Sequence, residues 1–171
     1  MKKLHRFYLS IGSNIQPEIN IPKTIELLRE YGTIQIISNA WESHAVGASG
    51  PNFLNASALL LTPLNPMELK NKIIRSIEAS LGRVRSRDKN APRTIDIDII
   101  MVDDKPCNLD RWKNPFVVLP MSEVAPELNH PIEHQKLSSV AERMRAQTWI
   151  KKRPEILNKG YLGKLENLTR Y

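Results

Sequence analysis

Polar and apolar positions change rhythm several times along the first hundred residues, and each change predicts an element. His5 to Ile11 predicts a strand, which Gly12-Ser13-Asn14 breaks. Ile21, Ile25 and Leu28 then fall at helical spacing, so Ile21 to Tyr31 predicts an amphipathic helix with Gly32 as its stop. Thr33 to Trp41 is rich in β-branched residues and predicts a second strand. Past a loop punctuated by Gly47, Gly50 and Pro51, the apolar run Phe53 to Thr62 lies between Pro51 and Pro63 and predicts a third. Pro66 opens a second helix whose stripe is Leu69, Ile73, Ile74 and Ile77, running to Leu81 and stopped by Gly82. Arg83 to Pro92 is a polar, basic loop, and Thr94 to Val102, where β-branched residues alternate with carboxylates, predicts a fourth strand.

The order β-α-β-β-α-β is the split arrangement of ferredoxin-like domains, an α+β class in which two helices cover one face of an antiparallel sheet. The other face is expected to be free to bind a ligand. After Asp103 the rhythm weakens to a short helix near Ser122 and a C-terminal helix over Lys136 to Ala146. From Lys151 a basic tail carries Pro154, Gly160 and Gly163 and reads as helix or solvated chain. With no repeat and no low-complexity block, one domain is expected over 1–171, its core over 1–130 and its C-terminal helix and tail over 131–171.

Composition narrows the class. A chain of 171 residues is long enough to bury a core without disulfides or a structural metal, and its 41% hydrophobic and 25% charged residues are those of a globular protein. No apolar run approaches the roughly 20 residues that cross a bilayer. The start, MKKLHRFYLSIGSN, has no small-residue cleavage pattern and reads as a first strand. Cys107 is the single cysteine, which rules out an internal disulfide and fits a reducing cytoplasm. The net charge of +7 attracts anions, but only its placement separates nucleic acid from a nucleotide.

That placement is informative. In a strand, side chains alternate faces, so Asp96 and Asp98 share one face while Ile95, Ile97 and Ile99 take the other. Two adjacent carboxylates repel unless a cation lies between them, and a hard divalent ion satisfies that need. Arg83, Arg85, Arg87, Lys89 and Arg93 precede this strand, opposed only by Asp88. Guanidinium forks recognise phosphate oxygens, and magnesium is usually held by one or two carboxylates plus the phosphates of its substrate, so the two clusters together describe a nucleoside triphosphate site. No phosphate-binding loop of the Gly-x-x-x-x-Gly-Lys-Ser/Thr kind is present. Phe53 and Asn55, two apart at a strand start, offer a ring and a carboxamide on one side, which suits a flat heterocycle.

These blocks, in order, are Ile11-Gly12-Ser13-Asn14, Phe53-Leu54-Asn55-Ala56, Glu78 with Leu81-Gly82-Arg83-Val84-Arg85, Pro92-Arg93-Thr94-Ile95-Asp96-Ile97-Asp98-Ile99, and Leu119-Pro120 with Glu123-Val124-Ala125-Pro126-Glu127-Leu128. Their order and spacing resemble the 6-hydroxymethyl-7,8-dihydropterin pyrophosphokinases of folate biosynthesis across about the first 130 residues. The resemblance implies transfer of the pyrophosphoryl unit of ATP to the pterin hydroxymethyl group, with release of AMP. It implies two magnesium ions on Asp96 and Asp98, with Phe53 and Phe116 sandwiching the pterin and Asn55 at its edge beside Ser43 and Val46. It also implies Glu78, Arg83, Arg85, Arg93 and Ile99 at the ATP site, with Arg83 and Arg93 as the catalytic phosphate contacts. The expected partners are ATP and the pterin, acting on a monomer with no nucleic acid or membrane partner.

The chain also departs from that pattern. The segment Asp103 to Pro115 is short, Asn114 stands where an arginine is expected, and Lys89-Asn90 replaces a loop aromatic. His130-Pro131 reads as a surface turn, while Arg111 or Lys113 could supply charge from the altered loop. Two other readings follow: a divergent paralogue that binds pterin and nucleotide with weak or altered activity, and an RNA-binding module on an open ferredoxin-like sheet. Against the second stand the absence of an aromatic-rich Arg/Lys-Gly run and the two aspartates, which repel a phosphate backbone unless metal-bound.

Overall fold

Phe7, Leu9 and Ile11 alternate with Tyr8, Ser10 and Gly12, and this alternation makes β1 (His5–Ser13) the central strand of an antiparallel sheet. The computed structural model describes residues 3–47, 50–88 and 90–157; Lys89 and the basic tail from 158, with Gly160 and Gly163, lie outside the described residues. β1 pairs on one side with β4 (Phe53–Thr62) and on the other with β5 (Asp96–Val102). The full order is β6-β5-β1-β4-β3-β7, where β3 is Ala40–Ser43, β6 Lys105–Pro106 and β7 Ile150–Arg153, and β2 (Thr33–Ile37) also pairs with β4.

One face of the sheet is covered as expected. Helix α1 (Pro17–Arg29) buries Ile21, Ile25 and Leu28 against Phe7, Leu9, Ile11, Leu54 and Leu60. It starts four residues before the periodic stretch, because Pro17 suits the first turn, where its missing N–H has no intrahelical partner. The second helix runs through α2 (Pro66–Glu68), a π-helical stretch Leu69–Ile74 and α3 (Arg75–Ser80). Asn65 caps it with Glu68 in a reciprocal box. The π turn explains its uneven stripe: Leu69 and Ile74, five apart, are both buried, with Ile77 following.

Three expectations are corrected. The second strand is two, because Ser38 leaves the ladder: its hydroxyl accepts from Ser57 N at 2.8 Å, and Asn39 N donates to Glu123 at 2.7 Å. The second face is not free along its length. Helices α4 (Pro115–Val124) and α5 (Leu137–Gln147) cover Tyr8, Trp41, Leu59, Ile100 and Met101 there. A β-bulge makes this possible: the register shifts between Tyr8 and Leu9, leaving Ile100 without a Cα partner, so Ile100 and Met101 both face α4 while Val102 returns to the first core. Finally, the basic segment at Lys151 opens as a strand, not as helix or solvated chain: β7 pairs with β3 from Ala40↔Arg153 to Ser43↔Ile150, tying residues 150–153 into the same sheet.

Candidate active site

At one end of the second face the strands supply polar or small residues in place of apolar ones. Ser10 and Gly12 of β1, Ser43 of β3, Phe53 and Asn55 of β4, and Asp96 and Asp98 of β5 line one cavity of about 220 Å³, closed by His44, Ala45, Val46, Asn90, Arg93, Arg111, Phe116 and Val117. A second cavity of about 540 Å³ is lined by Arg83, Val84, Arg85, Ser86, Asp88, Ala91 and Pro92. Arg93, Asp96, Asp98 and Arg111 line both, so the two spaces meet at the carboxylate pair.

The first cavity has the groups a flat heterocycle needs. Phe53 and Phe116 both face it, one from the sheet and one from the first turn of α4. Asn55 is buried, with its Nδ2 donating to Ser43 Oγ at 3.0 Å, which fixes the direction of its carboxamide. Gly12 matters for space: a Cβ there would stand 3.0 Å from Asn55 Oδ1. Val46 is exposed at the cavity rim and Ser43 is buried beneath it.

At the junction three guanidinium groups face the two carboxylates. Arg93 Nη1 donates to Asp96 Oδ2 at 2.7 Å, Arg83 Nη2 lies 3.5 Å from Asp96 Oδ1, and Arg111 Nη2 lies 2.7 Å from Asp98 Oδ2. Burial pushes the Asp98 carboxyl above the usual carboxylate range, Asp96 beside it adds to the rise, and the Arg111 guanidinium opposes it. Both carboxylates line the junction from one face of β5, so the residues present fit a divalent ion there. Among the described residues no three His, Cys, Asp or Glu side chains converge. Two carboxylates alone suit an ion that takes its remaining oxygens from phosphate and water, as magnesium does.

Two expected ATP residues line neither cavity with their side chains. Glu78 lines neither cavity; it is buried, accepting Ile97 N at 3.1 Å and Arg85 Nη2 at 3.0 Å, so it positions β5 and Arg85. The Ile99 side chain packs against the helix-side core, because strand alternation turns it away from Asp98. Three residues escaped the sequence reading as site groups. Gly12 is legible only with its neighbour Asn55 in view. Asn14 joins three loops: its Oδ1 accepts Arg93 N at 2.7 Å and its Nδ2 donates to Pro51 O at 3.3 Å. Arg111 was noted only as a spare charge, yet it reaches Asp98, whereas Lys113 pairs with Asp110 away from the site. His130 is a correction: it is almost fully buried, not a surface turn.

The model of the 7,8-dihydro-6-hydroxymethylpterin-pyrophosphokinase (HPPK) family matches residues 8–126, well over half the chain. The chain belongs to the HPPK family. It is 39% identical over 140 residues to 2-amino-4-hydroxy-6-hydroxymethyldihydropteridine pyrophosphokinase of Aquifex aeolicus, a match covering 76% of this chain and 86% of that one. The enzyme of the same name from Pseudomonas aeruginosa is 31% identical over 140 residues, covering 75% and 85%. Among solved structures, Plasmodium falciparum HPPK-DHPS with pteroate shares the fold at TM-score 0.64 and 13% identity, covering 86% of this chain and 43% of that longer one. HPPK membership makes the chain an enzyme of the pyrophosphokinase class, with ATP as co-substrate, in folate synthesis. Among the described residues no helix is long and apolar enough to cross a membrane.

Proposed function

We propose that this chain transfers the pyrophosphoryl group of ATP to the hydroxymethyl group of 6-hydroxymethyl-7,8-dihydropterin, releasing AMP. The observation that carries this reading is the meeting of two cavities at Asp96 and Asp98. One has aromatic and carboxamide walls suited to the pterin, and the other arginine walls suited to a triphosphate. An acceptor oxygen in the first and a phosphoryl group in the second are brought together only at that junction, so the site acts chiefly by position and charge.

Phe53 and Phe116 hold the pterin ring, with Asn55, Ser43 and the backbone near Val46 at its edge. Arg83, Arg85 and Arg93 face the triphosphate, and the contacts of Arg83 and Arg93 to Asp96 support a role for them on the transferred group. Glu78 contributes by holding Arg85, and Ile99 only through its backbone. Asp96 and Asp98 are the residues that would hold two magnesium ions, whose chemistry there would be neutralisation of phosphate charge and a lowered acceptor pKa. No covalent enzyme intermediate is required.

The chain works as one domain over 1–171, as a monomer in the cytoplasm, without nucleic acid or membrane partners; the paired aspartates on the open part of the sheet disfavour a phosphate backbone. The direct test is AMP release by the purified protein. It should require both magnesium and the hydroxymethyl pterin, and AMP formed without the pterin, or pterin bound with no AMP made, overturns the assignment.

A further inference from the structure

We infer that Trp149, which lines neither cavity, is a positioning residue for the smaller one, acting through His44, which forms part of its wall. The inference rests on the pterin reading for the occupant of that cavity, whereas the contact itself is independent of it. The antiparallel ladder between β3 and β7 ends at Ser43↔Ile150. One step further along the same register stand His44 and Trp149, and there the two rings stack, with 4.1 Å between centroids and 12° between planes. A cross-strand aromatic pair of this kind holds the end of a ladder where backbone bonds have run out.

The imidazole is held at its edge as well. The Glu42 carboxylate only accepts, so Asn52 turns its Nδ2 to Glu42 Oε1 at 2.9 Å and its Oδ1 to His44. His44 Nδ1 therefore carries a proton and donates to that oxygen at 3.0 Å. Glu42 is tied in turn to Arg153 Nη1 at 2.8 Å. Face and edge of the ring thus both lead back to the β7 segment, one through Trp149 and the other through Asn52, Glu42 and Arg153. Ser43, His44, Ala45 and Val46 are consecutive wall residues of the cavity. Ser43 is fixed by the ladder and by Asn55 Nδ2, and beyond it the His44 ring directs the chain into Ala45 and Val46. Exposure fits this division: Trp41 and Trp112 are buried in the second core, whereas Trp149 is 49% exposed and lays its ring on His44.

A purely structural role makes a different forecast. If Trp149 only fastens β7 to the sheet, its removal lowers Tm and leaves ligand affinities alone. If it positions the cavity wall through His44, its removal weakens pterin binding, spares triphosphate binding, and has no further effect once His44 is gone.

The test compares wild type, Trp149→Ala, Trp149→Phe, His44→Ala and the Trp149→Ala/His44→Ala double variant. Calorimetry with 6-hydroxymethyl-7,8-dihydropterin, in the presence of a non-hydrolysable magnesium-ATP analogue, should show about three- to tenfold weaker pterin binding in Trp149→Ala, the scale of one aromatic stack. Trp149→Phe keeps a ring on His44 and should stay near wild type, and the affinity for the ATP analogue should be the same in all five proteins. In steady-state AMP release, KM for the pterin should rise with the calorimetric factor while KM for ATP holds. In the His44→Ala background, Trp149→Ala should add less than about twofold, because residues that act as one unit are not additive. Unchanged pterin binding in Trp149→Ala, equal weakening of both ligands, or a Trp149→Ala effect that persists in full without His44 overturns the inference. If wild type binds the pterin but releases no AMP, the pyrophosphokinase reading fails, and the calorimetric comparison still decides the role of Trp149.

Discussion

Asn14→Ala removes a side chain that touches neither substrate space yet ties together the loops that form them. Asn14 is 5% exposed, and its Oδ1 accepts the Arg93 N–H at 2.7 Å while its Nδ2 reaches Pro51 O at 3.3 Å. Truncation leaves a half-buried N–H without that partner, which costs about 1–3 kcal/mol, and loses a longer bond worth about 0.5 kcal/mol. A total of about 1.5–3.5 kcal/mol in a domain of this size lowers Tm by roughly 3–14 °C. The backbone bonds from Asn14 N and Ile15 N to Arg93 O, at 3.1 and 3.3 Å, remain, so the fold survives while Arg93 gains freedom. Because Arg93 contacts Asp96 at the junction of the two cavities, kcat should fall about tenfold, since positioning losses of this kind act on the transition state. Asn14→Asp keeps the acceptor for Arg93 N and should recover much of the lost Tm. Circular dichroism melts and AMP release measure the two effects. An Asn14→Ala variant with wild-type Tm and kcat would refute the reasoning.

Phe53→Ala should weaken pterin binding by about 10–100-fold, because stacking on one aromatic face is worth roughly 1–3 kcal/mol. The triphosphate affinity should hold, and equal losses for both ligands in calorimetry would contradict the division into two cavities. Gly12→Ala places a methyl 3.0 Å from Asn55 Oδ1 and should raise KM for the pterin while leaving KM for ATP unchanged; an unchanged pterin KM would show that the Asn55 carboxamide is not fixed there. Glu42 is held below the ordinary glutamate range by its Asn52 hydrogen bond and by Arg153. A depressed carboxyl stabilises the fold above its unfolded pKa and loses that contribution as pH falls through the folded value. Urea midpoints of wild type should therefore exceed those of Glu42→Gln at neutral pH and converge in acid, and a gap that persists below the folded value would reject the linkage.

The chain declares its frame through spacing. Ile21, Ile25 and Leu28 state one helix, and Asp96 and Asp98 between isoleucines state both a strand and a shared polar face, because periodicity is a local property. What escaped is nonlocal. The Ile100 bulge depends on the partner strand β1, and the consecutive Ile99-Ile100-Met101 gives no sign of which residue goes unpaired. β7 is short and basic, and it is a strand because β3 offers an open edge, not because Ile150 to Arg153 prefer one. His130 looked like a turn residue because its partner, the Trp112 carbonyl, is 18 positions away. Arg111 was visible as a charge and invisible as a site residue for the same reason: its direction is set by the burial of Trp112 next to it. Motif residues on strands, such as Phe53, Asn55, Asp96 and Asp98, meet the loop arginines Arg83 and Arg93 at the two cavities, but motifs did not say that the Glu78 side chain holds Arg85 or that the Ile99 side chain faces the helix-side core.

Metal held by Asp96 and Asp98 is the claim on which the rest stands, and counting bound ions tests it most directly. Manganese binding to wild type, Asp96→Asn and Asp98→Asn should be followed by electron paramagnetic resonance with saturating ATP analogue and pterin. Two ions per chain in wild type, with at least one lost in each variant, is the expected result. Equal ion counts and affinities in all three proteins would contradict the account.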